Sequence, residues 1–428
     1  MMQRFLSRYR PRYIRSLIYM LQACEYSIRD YLAWYGRTND FGRVERRKTL
    51  VKTPKVYVLY AGAYVIVIAV VAFAYYAMAF AGLSGRLVVL ACTVLLAPYV
   101  LAYLILIPLI VVRILQIPVE YVLIAQAGRK LAGHKGLKIA IAGSFGKTSM
   151  REILKTVLAE GLPAAPGGTA QAGKKVAAPP FSYNTPLAIA RFVGELRGDE
   201  EVLIFELGEY YPGDVVRLCK LIGPHIGIIT GVNEAHLEKL GTLEKTARTI
   251  FELAEYLGKK PVYINGESEI ARRNAKTALK NHILYSREGV EDCRIENPKS
   301  DLRGTSFGLV LDDVQSRPKS GLLGTHSLGP LAVSAHIASR LGFNRKQIDA
   351  GIAKTKAFSH RLEPKEDKAG VITLDDSYNG NPDGVYAIID FLESLQGHRR
   401  CYVTPGLVEM GSRTKDVHKE IGRRIARA

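Results

Sequence analysis

Two 26-residue stretches without a charged side chain limit what this chain can fold into more than any other feature. They are VYVLYAGAYVIVIAVVAFAYYAMAFA (56–81) and LVVLACTVLLAPYVLAYLILIPLIVV (87–112). At 1.5 Å per residue a helix of that length reaches about 39 Å, more than the roughly 30 Å hydrocarbon core of a bilayer. One such run could be the buried helix of a soluble protein. Two in succession, separated only by Gly82 to Arg86, predict a transmembrane helical hairpin. The first run is too long and too far from the amino terminus to be a signal-peptide core. Pro98 and Pro108 are expected to kink the second span, which a membrane helix tolerates when neighbouring groups satisfy the freed backbone.

Basic residues set the orientation. Residues 1–55 hold 13 Lys and Arg against 4 acidic residues, and the hairpin loop holds one Arg. By the positive-inside rule both ends of the hairpin face the cytoplasm, so the chain is expected to cross its membrane twice. Arg4, Arg8, Arg12 and Arg15 alternate with Tyr, Leu and Ile ahead of Trp34, and the segment reads as an interfacial helix lying on anionic membrane lipid. The formal charge of +19 would also suit nucleic acid, but the adjoining hairpin favours lipid, and no nucleic-acid partner is expected. Cys24, Cys92, Cys219, Cys293 and Cys401 form no C-x-x-C pair, which argues against a disulfide framework or a zinc knot and fits a reducing compartment.

After the hairpin an apolar run, LKIAIAG (137–143), leads into GSFGKTS (143–149) and then a helical pattern. Strand, glycine turn, Lys-Thr and helix make a phosphate cradle, in which backbone N–H groups and a helix amino terminus face the anion. Gly143, Ser144, Phe145, Gly146, Lys147, Thr148 and Ser149 would bind a nucleotide, with Lys147 on the β and γ phosphates and Thr148 on Mg²⁺. The full eight-residue Walker pattern needs a glycine where Ile141 stands. Residues 162–180 are rich in Pro, Gly and Ala and read as a mobile loop. A second apolar run, EVLIFELGE (201–209), places Glu206 near its carboxyl end. A third (222–241) opens onto Asn233, His236 and Glu238. Ligands of open α/β sheets bind at that edge, where a carboxylate and an imidazole can serve a metal beside a triphosphate.

The runs GSFGKTS, FELGEYYPGD, IGIITGVNEAHLEKLGTLE, YINGESE, LLGTHSLGPLAVSAHIASRLG, HRLEP, LDDSYNGNPDG and TPGLVEMG, in this order over about 137–411, resemble the Mur ligase family, most closely its MurF type. The resemblance implies an α/β fold. A P-loop Mur ligase central domain would be followed by a shortened Rossmann-like carboxyl-terminal domain and preceded by the two-helix transmembrane hairpin. The expected divisions are a basic interfacial segment 1–55, the hairpin 56–112, a linker 113–136, the ATP-binding central domain 137–356 and a partial carboxyl-terminal domain 357–428. The implied activity is ATP-dependent amide ligation. A muramoyl-peptide carboxylate would be activated as an acyl phosphate and attacked by an amine such as D-Ala-D-Ala, with ATP and Mg²⁺ as cofactors. The implied roles put Lys147, Glu206, His236 and Arg361 in catalysis. Thr148 and Glu206 would hold the first Mg²⁺ and His236 the second. Asn233 would lie against the nucleotide, Arg361 would reach the γ phosphate and Asp376 the ribose. Asn379 and Asn381 would help place the amine.

Four departures from the family pattern stand out. Ile250, in TARTIFELAE, occupies the position of a lysine that the family carboxylates to a metal-binding carbamate; the K-x-E motif keeps only Glu252, and Arg248 stays cationic. His326-Ser327 replaces a His-Asn pair whose asparagine faces adenine. The membrane module stands where the family's UDP-sugar-gripping domain would be, which suggests a lipid-linked substrate. Only about 70 residues follow Lys356, and RCYVTPGLVEMGSRTKDVHKEIGRRIARA supplies one strand and one helix, so a partial sequence is expected. Two competing functions are ligase chemistry on a lipid-linked wall intermediate and a non-ligating, membrane-bound, nucleotide-binding scaffold.

Overall fold

A computed structural model of the chain describes residues 2–44, 49–161, 175–180, 183–234, 240–278, 282–377, 380–407, 410 and 413–427. The chain divides into two units, Met1–Val122 and Leu123–Ala428.

The first unit is helical. It runs through α1 (Met2–Leu6), α2 (Tyr13–Ala23), α3 (Ile28–Arg37), α4 (Pro54–Ala79), α5 (Leu83–Leu104) and the start of α6 (Leu106–Gly133), which carries the chain into the second unit. Thr53 caps α4 by accepting the Val56 N–H, and Pro54 supplies a preset φ at the first turn. The second apolar run does not form one span over 87–112. Its helix starts at Leu83, breaks at Ile105 and resumes to Gly133. The break falls where Pro108 dictates, because a proline removes the N–H that would bond the Leu104 carbonyl and its ring crowds that same carbonyl. Residues 113–133, expected as linker, are therefore helix. The loop is also tighter than expected, because Leu83 to Arg86 already belong to α5.

The amino-terminal segment, expected as an interfacial helix, forms several short helices that pack on α4 and α5. Leu17, Ile18, Met20, Leu21, Tyr31 and Phe41 are buried together with Val56, Leu59 and Ala63 of α4 and Leu101 and Ala102 of α5. Tyr31 donates its hydroxyl to the Ala102 carbonyl at 2.8 Å, and Tyr13 donates to that of Pro98 at 3.0 Å. Arg8 is buried rather than turned to lipid, because aromatic rings from α3, α5 and the turn at Phe41 surround it. Away from this cluster the hairpin is bare: Tyr64, Val65, Ile68, Val71, Phe73, Leu87 and Val88 are exposed. The core helix of a soluble protein would be mostly covered, whereas the most apolar windows of Pro54–Ala79 and Leu83–Gly133 are 17% and 22% buried.

The second unit is built on one sheet. Its strands are β1 (Leu137–Ala142), β2 (Val176–Ala177), β3 (Val202–Glu206), β4 (Ile226–Ile229), β5 (Val262–Asn265), β6 (His282–Ser286), β7 (Gly289–Val290), β8 (Cys293–Asp301), β9 (Gly304–Leu311), β10 (Val314–Ser316) and β11 (Lys319–Ser320). The order is β10-β9-β8-β7-β6-β5-β4-β1-β3-β2, with β11 beside β9. Strands β6 to β2 along this path are parallel, and β7 to β11 extend the edge antiparallel. The inner strands are continuous apolar runs because helices cover both faces. One face packs on α7 (Lys147–Gly161), and the other on α8 (Pro186–Glu195), α9 (Asp214–Ile222), α10 (Leu243–Leu257) and α11 (Glu269–Ala278). The first face also takes α12 (Leu328–Arg340) and α13 (Arg345–Ala353). Residues 175–180, expected within a loop, include the edge strand β2; residues 162–174 lie outside the described residues.

The end of the chain adds a two-stranded antiparallel sheet, β12 (Glu363–Glu366) with β13 (Ile372–Asp375), and helices α14 (Pro382–Ser394) and α15 (Thr414–Arg427). Val385, Ile389, Leu407, Val417 and Ile421 pack these helices together. The strand expected in the run from Arg400 onward does not form among the described residues; 401–407 join no sheet. Forming a ladder needs a neighbouring strand, and the described chain offers none beside them.

Candidate functional site

The site grows from the carboxyl ends of β1, β3 and β4. Parallel pairing fixes Ile141 opposite Glu206 and Ile228, so the turn after β1 and the last residue of β3 emerge side by side. Gly143 has φ +142°, and a Cβ there would lie 2.2 Å from Thr230 Oγ1, so only glycine fits. Gly146, at φ +73°, turns the chain into α7 and accepts the Met150 N–H. Thr230 braces the turn, donating its hydroxyl to the carbonyls of Ala142 and Phe145. The result is a phosphate loop whose amides open onto a helix amino terminus.

Two of the expected metal ligands meet. Thr148 Oγ1 donates to Glu206 Oε2 at 3.2 Å, and Arg151 Nη1 stands 2.8 Å from Glu206 Oε1. Burial pushes the Glu206 carboxyl above the usual carboxylate range, while Arg151, Lys147, Thr148 and Arg361 pull it back down. A hydroxyl and a carboxylate at a phosphate loop are the all-oxygen donors that a hard divalent cation such as Mg²⁺ prefers, so the residues fit one. Lys147 is turned aside: its Nζ donates to the Gly143 carbonyl and lies 2.5 Å from Glu209 Oε1. Glu209 and Arg151 escaped the sequence reading. The signal was a second carboxylate three residues past Glu206 and an arginine one helical turn beyond Lys147. His236, expected at the second metal, lies outside the described residues, as does Asn379.

Beside the loop a cavity of about 310 Å³ opens between the central strands and the end of the chain. Phe145, Gly146 and Ser149 line one wall, and Arg361, Asp376 and Asn381 line the other. This brings together residues that are far apart in sequence. Asp376 accepts the Leu362 N–H at 3.1 Å, and the neighbouring Arg361 cation lowers its carboxyl pKa against a larger upward push from burial. His326 and Ser327 also line the cavity.

Asn233 and Asn381 also make contacts that hold the site together. Asn233 is absent from the cavity lining among the described residues; its Nδ2 donates to Asp383 Oδ2 at 2.6 Å and to Asn381 Oδ1 at 3.2 Å, tying β4's edge to α14. Asn381 caps α14, its Oδ1 accepting the Gly384 N–H, so that atom is already engaged. Ile250 is fully buried with Ala247, Phe251, Leu253 and Ile229. Glu252 caps α9 by accepting the Gly213 and Val216 N–H groups at 2.7 and 3.0 Å, a structural use of the surviving K-x-E glutamate.

Residues 141–338 match the family model of the Mur ligase middle domain. That stretch, somewhat under half of the chain, is similar to the Mur ligases. Among its Mur ligase relatives is the UDP-N-acetylmuramoyl-tripeptide–D-alanyl-D-alanine ligase of Mycobacterium tuberculosis, 28% identical over 311 residues, covering 71% of this chain and 58% of that protein. The enzyme of the same name from Haemophilus influenzae is 24% identical over 287 residues, covering 67% and 61%. Of solved Mur ligase structures, MurF from Acinetobacter baumannii superposes with a TM-score of 0.62 at 22% identity, covering 72% of this chain and 65% of that one. MurF ligase from Thermotoga maritima, solved in complex with ADP, gives 0.59 at 25% identity, covering 72% and 68%. The chain spans about three fifths of the length of the curated relatives it matches.

Proposed function

We propose that this chain is a Mur ligase, an ATP-dependent amide ligase of the MurF type that joins D-Ala-D-Ala to the terminal carboxylate of a UDP-muramoyl-tripeptide. The observation that carries the reading is the convergence of Arg361 and Asp376, from the end of the chain, on the cavity beside the phosphate loop. The names of the relatives and the ADP complex of the Thermotoga maritima enzyme support the same chemistry.

Backbone amides of the loop and Lys147, once it leaves Glu209, would bind the phosphates of ATP. Thr148 and Glu206 would hold Mg²⁺, which when bound offsets charge on the phosphoryl oxygens. Asp376 would accept from the ribose. Arg361 would sit where negative charge spreads as the substrate carboxylate bonds to the γ phosphorus and the bond to ADP breaks. The amine would then bond to the acyl carbon, release phosphate and lose a proton to water. Because Arg361 and Asp376 stand across the cavity from the loop, closing that cavity would align the reactants and exclude water.

The first unit would anchor this body to the inner membrane, with the amino terminus and the catalytic unit in the cytoplasm. The bare apolar faces of α4 and α5 support this, since contiguous apolar surface of that size is stable in lipid and a liability in water.

The test is a ligation assay on detergent-purified chain with ATP, Mg²⁺, UDP-muramoyl-tripeptide and D-Ala-D-Ala, reading the pentapeptide product by mass spectrometry. Product that disappears in Lys147→Ala supports the reading. ATP binding without product from this pair overturns the substrate assignment.

A further inference from the structure

The first unit holds a buried cation that no described acidic residue neutralises. Arg8 is 5% exposed. Its Nε donates to the Tyr35 hydroxyl at 3.2 Å, and Nη1 donates to the Arg4 carbonyl at 2.9 Å and the Tyr99 hydroxyl at 3.2 Å. The guanidinium carbon lies 4.1 Å from the centre of the Tyr99 ring and 5.2 Å from that of Phe41. All of these partners are neutral. Asp40 instead pairs with Arg10 at 3.5 Å and Arg43 at 3.6 Å. Ring faces and hydroxyls soften the burial of a full charge, but an anion would offset it far better.

Arg8 and Arg10 stand at one side of a cavity of about 250 Å³. Its other walls are hydrocarbon: Val67, Val70 and Val71 of α4, with Ala97 and Leu101 of α5. A cation beside an apolar slot is the complement of a molecule with an anionic head and a hydrocarbon tail. Exposed apolar side chains continue along the helices on both sides of the slot, among them Tyr57, Val58, Phe73, Val88, Tyr103 and Ile107, so the slot opens onto an apolar surface. Tyr9 and Tyr13 donate their hydroxyls to the Leu95 and Pro98 carbonyls beside it, and Tyr99 accepts from Arg8.

We propose that this slot holds one acyl chain of an anionic phospholipid, its phosphate against Arg8 and Arg10. The proposal rests on the reading that α4 and α5 lie in a bilayer. A free phosphate ion would leave the hydrocarbon walls unused, and a zwitterionic headgroup would bring its own cation to two arginines. The 13 basic against 4 acidic residues of 1–55 concentrate anionic lipid at the same surface.

The full chain would be purified in mild detergent with phosphatidylglycerol or phosphatidylcholine, and retained lipid counted by native mass spectrometry. Flotation with vesicles of each lipid would be measured in parallel. One phosphatidylglycerol per chain is expected, with phosphatidylcholine at least tenfold less retained. Arg10→Gln should cut retention several-fold. Ala97→Trp, which fills the slot and leaves Arg8 untouched, should abolish it while flotation with phosphatidylcholine vesicles and the melting temperature stay unchanged. Equal retention of the two lipids, or retention indifferent to Ala97→Trp, overturns the site and leaves the membrane reading standing. Retention of a polyprenyl phosphate from the host membrane in place of phosphatidylglycerol overturns the phospholipid assignment. Failure to float with either vesicle overturns the membrane reading and the site together.

Discussion

Lys147 Nζ lies 2.5 Å from Glu209 Oε1, in an ion pair that leaves 12% of the lysine side chain and 2% of the glutamate side chain exposed. The cation that should meet the phosphates is thus held by a carboxylate of the same site. Binding a nucleotide has to break that pair. Glu209→Gln keeps the shape and removes the charge, so it is expected to tighten ATP binding by about 3- to 10-fold, or roughly 1 kcal/mol. Titration with a fluorescent ATP analogue reads this directly. Weaker binding that strengthens again at high Mg²⁺ would mean instead that Glu209 contributes to the metal site.

Arg361 lines the cavity and its charge reaches both Glu206 and Asp376. A group placed to meet charge that develops during phosphoryl transfer should matter more to turnover than to binding. Arg361→Ala is expected to lower kcat by about 10²- to 10³-fold with the Kd for ATP changed less than about threefold. An equal loss in kcat and ATP affinity would make Arg361 a nucleotide-binding residue only.

Burial raises the Glu206 carboxyl above the ordinary value, with Arg151 and Lys147 opposing. Metal binding needs the carboxylate, so a proton and Mg²⁺ compete for it. As pH falls through this raised value, Mg²⁺·ATP affinity should drop about tenfold per unit. The loss should begin at a higher pH than for an exposed glutamate. Stability runs the other way. Glu206, Asp376 and Asp383 are all raised by burial, so the folded chain holds these protons more tightly than the unfolded one. Their stabilising contribution is present at low pH and is lost as pH rises from the unfolded to the folded values. Calorimetric titration of Mg²⁺·ATP between pH 5 and 8 checks the first expectation, on wild type and on Glu206→Gln, whose profile should be flat.

The phosphate loop, Thr148 and Glu206 were legible because each follows an apolar run, and parallel pairing delivers the ends of such runs to one edge. The cavity wall formed by Arg361 and Asp376 was legible only through resemblance, since a turn-rich segment says nothing of where it docks. Three features resisted reading for different reasons. The helix beyond residue 112 carries Arg113, Glu120, Arg129 and Lys130 and so resembles a basic linker. Strands β7, β10 and β11 are two or three residues long and β8 is largely polar, so their pairing is set by one another rather than by a long apolar run. Arg8 reads as a surface cation until Tyr35, Phe41 and Tyr99 close around it from elsewhere in the chain.

Ile250 tests how the site manages without the family's carbamate lysine. If the substitution were a recent loss, Ile250→Lys in bicarbonate would restore a metal ligand and raise turnover. The packing argues otherwise. Ile250 has no exposed surface and sits with Ala247, Phe251, Leu253 and Ile229, while Glu252 on the same helix is committed to capping α9. A lysine there would place its ammonium among hydrocarbon without a counter-charge. The expected cost is about 3 kcal/mol or more, which for a unit of this size lowers Tm by roughly 6–12 °C. Thermal unfolding of the full chain in detergent, with and without bicarbonate, reads the effect. An unchanged Tm together with bicarbonate-dependent turnover would show that position 250 reaches the metal site after all, and that the core around α10 opens to let it.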